Sequence, residues 1–257
     1  MVTDRHVSGH EWKLLAGSDQ VGLRPRRARP AEIRLAGFPL WPYRSGVDLF
    51  SRSWAALRAA VADLPDSAFE RPSGCAGWLV RDLACHLVID AQDVLITLVT
   101  PADSPPDRDE LTYWDLAGTP PTGDDPLDAL IVRLAAAYQE PDLLKFHLDD
   151  VGSAAGRAAE LADPAAVVAT NGKVLTAGDY LSAYVLEWTL HHLDLTAHLP
   201  DVPPPPADCL ARSRDMLERI AGAPFPATLP DTTALLTATG RRPPTPDLPM
   251  NVPLILT

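Results

Sequence analysis

The chain has 257 residues, 46% of them hydrophobic and 22% charged, enough for one large domain or two small ones with a real core. Its net charge of −12 is uneven: residues 1–34 hold seven Lys/Arg against four Asp/Glu, so the remainder is strongly acidic, which argues against nucleic acid or an anionic membrane as main partner. No apolar run reaches the roughly 18 residues of a membrane span, the N-terminal MVTDRHVSGHEWKLL lacks the apolar stretch of a secretory signal, and three cysteines without CxxC spacing fit a reduced, cytoplasmic protein.

Residues 1–44 show no sustained period and read as a disordered or extended N-terminal tail. Within it, RPRRARP (24–30) lacks the aromatic interleaving of a nucleic-acid arm. His6 and His10 share i, i+4 spacing but lie in this tail, a weak basis for a second metal site. From Val47 the pattern turns helical: Val47, Phe50, Trp54, Leu57, Val61 and Leu64 recur at spacings of three and four until Pro65 ends the stripe. A second helix is expected from Trp78–Leu79 to about Thr100, before Pro101. Residues 101–125 then read as a long connection rich in Pro, Asp and Gly.

The third helix is expected over DDPLDALIVRLAAAYQE, with Asp at its cap, Pro126 in its first turn, and Leu127, Leu130, Ile131, Leu134 and Tyr138 facing inward. Residues 140–178 are mixed, without a clear helical stripe. Within them, Asn171-Gly172 between β-branched runs predicts a small hairpin. Thr176, with Asp179 three residues on, caps a fourth helix running to about Leu199. A fifth follows over about 207–221, and TTALLTATGRRPPTP holds one short strand-like or helical piece. The sum is an all-α fold, a helical bundle with long connections and a small β-hairpin. Its expected parts are the tail 1–44, the bundle 45–222 and a short C-terminal segment 223–257.

The fourth helix carries the chemistry. Tyr180, Tyr184, Glu187, His191, Asp194 and His198 follow one another at spacings of three and four and so share a face, flanked by Leu181, Val185, Trp188, Leu195 and Leu199. Glu187 and His191 at i, i+4 bring a carboxylate and an imidazole within reach of one ion, the way bundles build inward metal sites. A third ligand is available in His86, set among Leu83, Leu87 and Val88 on the second helix. Three protein ligands leave positions open for water or substrate, and Asp194 is placed to hold the other ring nitrogen of His191. The competing readings are a core histidine at His86 and an ordinary i, i+4 pair at Glu187/His191. His192 points about 100° away and reads as a packing or surface residue. His198 sits near the helix end, where it favours the dipole. Cys75 and Cys85 read as buried structural thiols before reactive ones. GxGxxG, P-loop and GxSxG motifs are all missing, so nucleotide binding and a hydrolase elbow have no support.

RPSGCAGWLVRDLACHLV (71–88) resembles the segment leading into the second helix of the mycothiol-dependent maleylpyruvate isomerase family, and LEWTLHHLDL (186–195) resembles that family's later E-x-x-x-H-x-x-D-L motif. The order of the two, the first helix, the capped fourth helix and the LLTATGRRP ending also fit, over about residues 45–245. The resemblance implies a DinB-like four-helix bundle holding a divalent metal, zinc or a similar ion, on His86, Glu187 and His191. It further implies mycothiol as co-substrate, adding to an activated C=C of a small electrophile and leaving after bond rotation, or another thiol transfer. A metal-assisted hydrolase and a non-catalytic metal-stabilised scaffold or regulator are the rival readings. The segment beyond residue 222 is short for that family's C-terminal domain; within it, Arg241 or Arg242 is either an anion-binding group or part of a solvated tail.

Overall fold

The computed structural model describes residues 44–117, 122–246, 248 and 254–256. The expected tail, RPRRARP, His6 and His10 lie outside them, apart from Arg44, which opens the first helix. Helix α1 (Arg44–Ala62) buries Phe50, Trp54, Leu57 and Val61, the stripe read from the sequence. A short 3-10 turn, Asp66–Glu70, tucks in Phe69. Helix α2 (Val80–Leu98) begins where the Asp82 carboxylate accepts the Leu79 backbone N–H at 2.8 Å, satisfying one of the donors a helix start leaves unpaired. After the connection come β1 (Leu116–Ala117) and α3 (Pro126–Ala136), whose Asp125 cap accepts from Leu127 N. Of the expected inner face of α3, Ile131 is buried and Tyr138, just past the helix, packs half-buried against the core, while Leu127, Leu130 and Leu134 are exposed; Ala135 is buried in their stead. Helix α3 packs chiefly on α2, and its wide leucine face is left largely outward.

Residues 140–178 hold more order than their sequence pattern suggests. Helix α4 (Pro141–Leu161) occupies most of them, burying Leu144, Leu148, Gly152, Ala155 and Ala159. The hairpin follows as expected, β2 (Val167–Thr170) pairing antiparallel with β3 (Lys173–Thr176) around Asn171 and Gly172, both at positive φ (48° and 75°). Thr176 then caps α5 (Ala177–Thr196): its hydroxyl accepts the Asp179 N–H at 3.0 Å and donates to the Asp179 carboxylate at 2.6 Å. Helices α6 (Ala207–Ala221) and α7 (Asp231–Ala238) complete the helical set, and β4 (Ile255–Leu256) pairs with β1.

The bundle is the ring α1–α5–α2–α4, closed by contact between α4 and α1. Trp54 and Trp188 stack at its centre with ring centroids 4.0 Å apart, and Phe50 lies 4.3 Å from Trp188. Both faces of α5 are covered. One joins the bundle core; the other, through Leu186, Leu190 and Leu193, meets Met216, Leu217, Leu235 and Ala238 of α6 and α7. No helix among the described residues is long and apolar enough to cross a membrane. The all-α bundle and its small hairpin are as the sequence predicts, with α4 added and the short piece expected in TTALLTATGRRPPTP formed as the helix α7.

Candidate metal centre

Four polar side chains converge between α2 and α5. His86 and Asp90 sit one turn apart on α2; Glu187 and His191 sit one turn apart on α5. The Nε2 atoms of His86 and His191 are 3.2 Å apart, and Glu187 Oε1 lies 3.0 Å from His191 Nε2. Asp90 Oδ2 lies 3.4 Å from His86 Nε2. All four ligand-type atoms fall within 4.8 Å of one another, a His/Asp/Glu cluster that could hold a metal ion. Below it, Tyr113, Tyr180 and Tyr184 pack ring against ring as an aromatic floor.

The other nitrogen of His191 belongs to a second group. His191 Nδ1 is 3.3 Å from Asp194 Oδ2 and 3.8 Å from Cys75 Sγ. Asp194 is clasped by Arg241, Nε to Oδ1 at 2.8 Å and Nη2 to Oδ2 at 2.9 Å. Gly74 N donates to the Asp194 carbonyl at 2.8 Å, docking the loop before α2 onto α5. Asp194 thus orients His191 so that Nε2 faces His86 and Glu187.

Burial sets the charges. Desolvation, helped by the charge on His191, pushes the His86 imidazole down to about 3, so it is a neutral base with a lone pair. Burial works against the charge on His191, but the Glu187 charge and the hydrogen bonds His191 makes with Asp194 and Cys75 prevail and raise it well above its ordinary value. Burial also works against Glu187, yet the His191 charge holds its carboxyl below the usual range. Asp90 is pushed well up by burial and then by the Glu187 charge. For Asp194, burial is outweighed by the Arg241 charge, which keeps it ionised. Burial, then the Asp194 charge, raises the Cys75 thiol. The donor chemistry suits a divalent cation: two imidazole nitrogens and two carboxylates converge, and Asp90 Oδ2 is a buried oxygen without a hydrogen-bond partner.

The three residues singled out in the sequence, His86, Glu187 and His191, therefore meet, and Asp194 lies where the spacing put it. Of the two readings of His192, packing or surface, the first holds: it is buried, its Nε2 2.9 Å from the Pro203 carbonyl. His198 is exposed and outside the cluster. Sequence reading missed Asp90, although His86-x-x-x-Asp90 repeats the i, i+4 spacing of Glu187-x-x-x-His191. It also missed the closeness of Cys75 to His191. Arg241 is half-buried on Asp194 and Arg242 is exposed, so the two arginines part company.

A comparison with protein-family models matches residues 50–196 to the mycothiol maleylpyruvate isomerase N-terminal domain, a stretch that holds the bundle and all four cluster residues. Comparisons with curated proteins and with solved structures return no match. With more than half its length matched, from within α1 to the end of α5, the chain belongs to the mycothiol maleylpyruvate isomerase N-terminal domain family, and its DinB-like bundle fits that membership.

Proposed function

We propose that His86, Glu187 and His191 hold a divalent cation, zinc by its ligand chemistry, and that the protein uses it to act on a small electrophile with a low-molecular-weight thiol such as mycothiol, by isomerisation or S-transfer. The observation that carries this reading is the convergence of two imidazoles and a carboxylate from facing helices, with the Arg241 guanidinium engaged on Asp194 rather than on the cluster. A cation in such a site brings a thiol or water beside it to its deprotonated form near neutral pH.

The chain's own residues divide the remaining work. The His86 and Glu187 side chains are each 22% exposed, so the cluster meets solvent on their side, while His191 is held from behind. The Trp78 ring packs beside that of His86, their centroids 5.1 Å apart. Asp194 and Arg241 fix the His191 ring plane, which spares the site the entropy of ordering it.

Elemental analysis of protein purified without chelator tests the metal. About one equivalent of divalent ion per chain is expected in the native protein, with most of it lost in His86→Ala and Glu187→Gln. Metal content unchanged by both substitutions refutes the site. Thermal shift with mycothiol tests the thiol: the metal-loaded protein is stabilised by mass action if it binds the thiol, and a metal-only scaffold is not.

A further inference from the structure

We infer that Asp90 is a fourth protein ligand of that cation, making the site a two-histidine, two-carboxylate set in place of a three-residue one. The inference rests on the metal reading of the same cluster and adds a residue to it. Asp90 lies one helical turn after His86 and faces the same seam. The two pairs meet in reversed chain order: His86 faces His191, while the strongest charge acting on Asp90 is that of Glu187.

Three observations single Asp90 out from an ordinary core carboxylate. It is only 6% exposed. Its Oδ2 accepts no hydrogen bond. Its near neighbour at 3.4 Å, His86 Nε2, is beyond good hydrogen-bond length and also faces His191. A buried carboxyl whose Oδ2 meets no donor resists ionisation unless a cation compensates the charge. The nearby guanidinium, Arg241, engages both oxygens of Asp194. Metal–ligand bonds of about 2.0–2.2 Å put donors of one coordination sphere roughly 3–4.3 Å apart. The separations of 3.0, 3.2 and 3.4 Å among Glu187, His191, His86 and Asp90 fall in that range. Two carboxylates also neutralise a divalent ion, where Glu187 alone would leave a net positive site.

The test uses Co²⁺ as a spectroscopic stand-in, with full-length native protein, Asp90→Asn and Asp90→Ala. Co²⁺ affinity is measured by chelator competition, the coordination sphere by visible absorption, and stability by thermal denaturation with and without the ion. The expected result has two signs. Without metal, the variants melt at or above the native midpoint, because an unpartnered buried carboxylate has been removed. With metal, affinity falls by more than the roughly 10–100-fold that loss of an orienting group costs, and the absorption bands move. Variants with native affinity and spectrum overturn the inference, as do variants with weakened affinity but an unmoved spectrum. Two variants that cannot fold without metal also overturn it, since that result makes Asp90 structural. Native protein that binds no Co²⁺ overturns the metal reading itself, so the two failures are told apart.

Discussion

Gly74 approaches Asp194 more closely than any side chain would allow. A Cβ built there meets Asp194 Oδ1 at 2.6 Å and its Cα at 2.8 Å, and the second of these is backbone that cannot swing aside. The closeness lets Gly74 N reach the Asp194 carbonyl while Cys75 and Arg241 share the carboxylate. Gly74→Ala is therefore expected to destabilise the fold by about 1–3 kcal/mol, the usual cost of overpacking. The strain falls on the residue that orients His191, so metal affinity should fall with it. Urea denaturation and chelator competition on the same preparation check both effects; a variant native in both would mean the loop yields freely. Asp90, by contrast, needs no such contact to be noticed: the sequence shows it at the right spacing from His86. What the sequence lacks is any sign that its Oδ2 is left without a hydrogen-bond partner, a property of the assembled seam.

Helix α4 shows why an element can stay hidden. Its buried positions, Leu144, Leu148, Gly152, Ala155 and Ala159, recur at spacings of four and three, but three of the five are small and barely register as an apolar stripe. Gly152, Gly156 and the Asp149-Asp150 pair argue against a helix on propensity alone. Packing overrides propensity here. Trp54 donates its indole N–H to the Gly152 carbonyl at 2.8 Å, and its ring lies where a Cβ on Gly152 would stand, 2.7 Å from it. The opposite failure occurs in α3, where an evident leucine stripe is left outward on a helix that packs chiefly on α2. Helices α1, α2, α5 and α6 and the hairpin were legible because their signals are large residues, caps and an Asn-Gly turn. The two glycines of α4 make a paired prediction. Gly152→Ala gains about 1 kcal/mol of helix propensity but crowds Trp54, pinned by its stack on Trp188, and should lose about 1 kcal/mol net. Gly156→Ala meets its nearest atom, Trp54 Cδ1, at an ordinary 3.9 Å and should gain about 0.5–1 kcal/mol. Denaturation midpoints of opposite sign support this account of α4; equal signs contradict it.

At the scale of the whole molecule, α5 is the wall shared by two apolar clusters, and the polar seam crosses it against α2. His86 and His191, 105 positions apart in the chain, face each other only in the folded protein. A cation held there binds the native state and finds no such site in the unfolded chain, so it stabilises by mass action. At a hundredfold excess over its dissociation constant the gain is about 2.7 kcal/mol. For a chain of this size that is a rise in melting midpoint of roughly 5–11 °C. The shift should grow with the logarithm of Zn²⁺ concentration, vanish on chelation and be lost in Glu187→Gln. The last condition matters because the acidic body, with 34 Asp and Glu in the chain, can bind divalent ions loosely at its surface. Such binding would raise the midpoint of native protein and Glu187→Gln alike, and would be screened by added salt. A shift that survives in Glu187→Gln therefore assigns the stabilisation to the surface and removes it from the seam, whereas a shift confined to the native protein ties global stability to the cluster that α2 and α5 bring together.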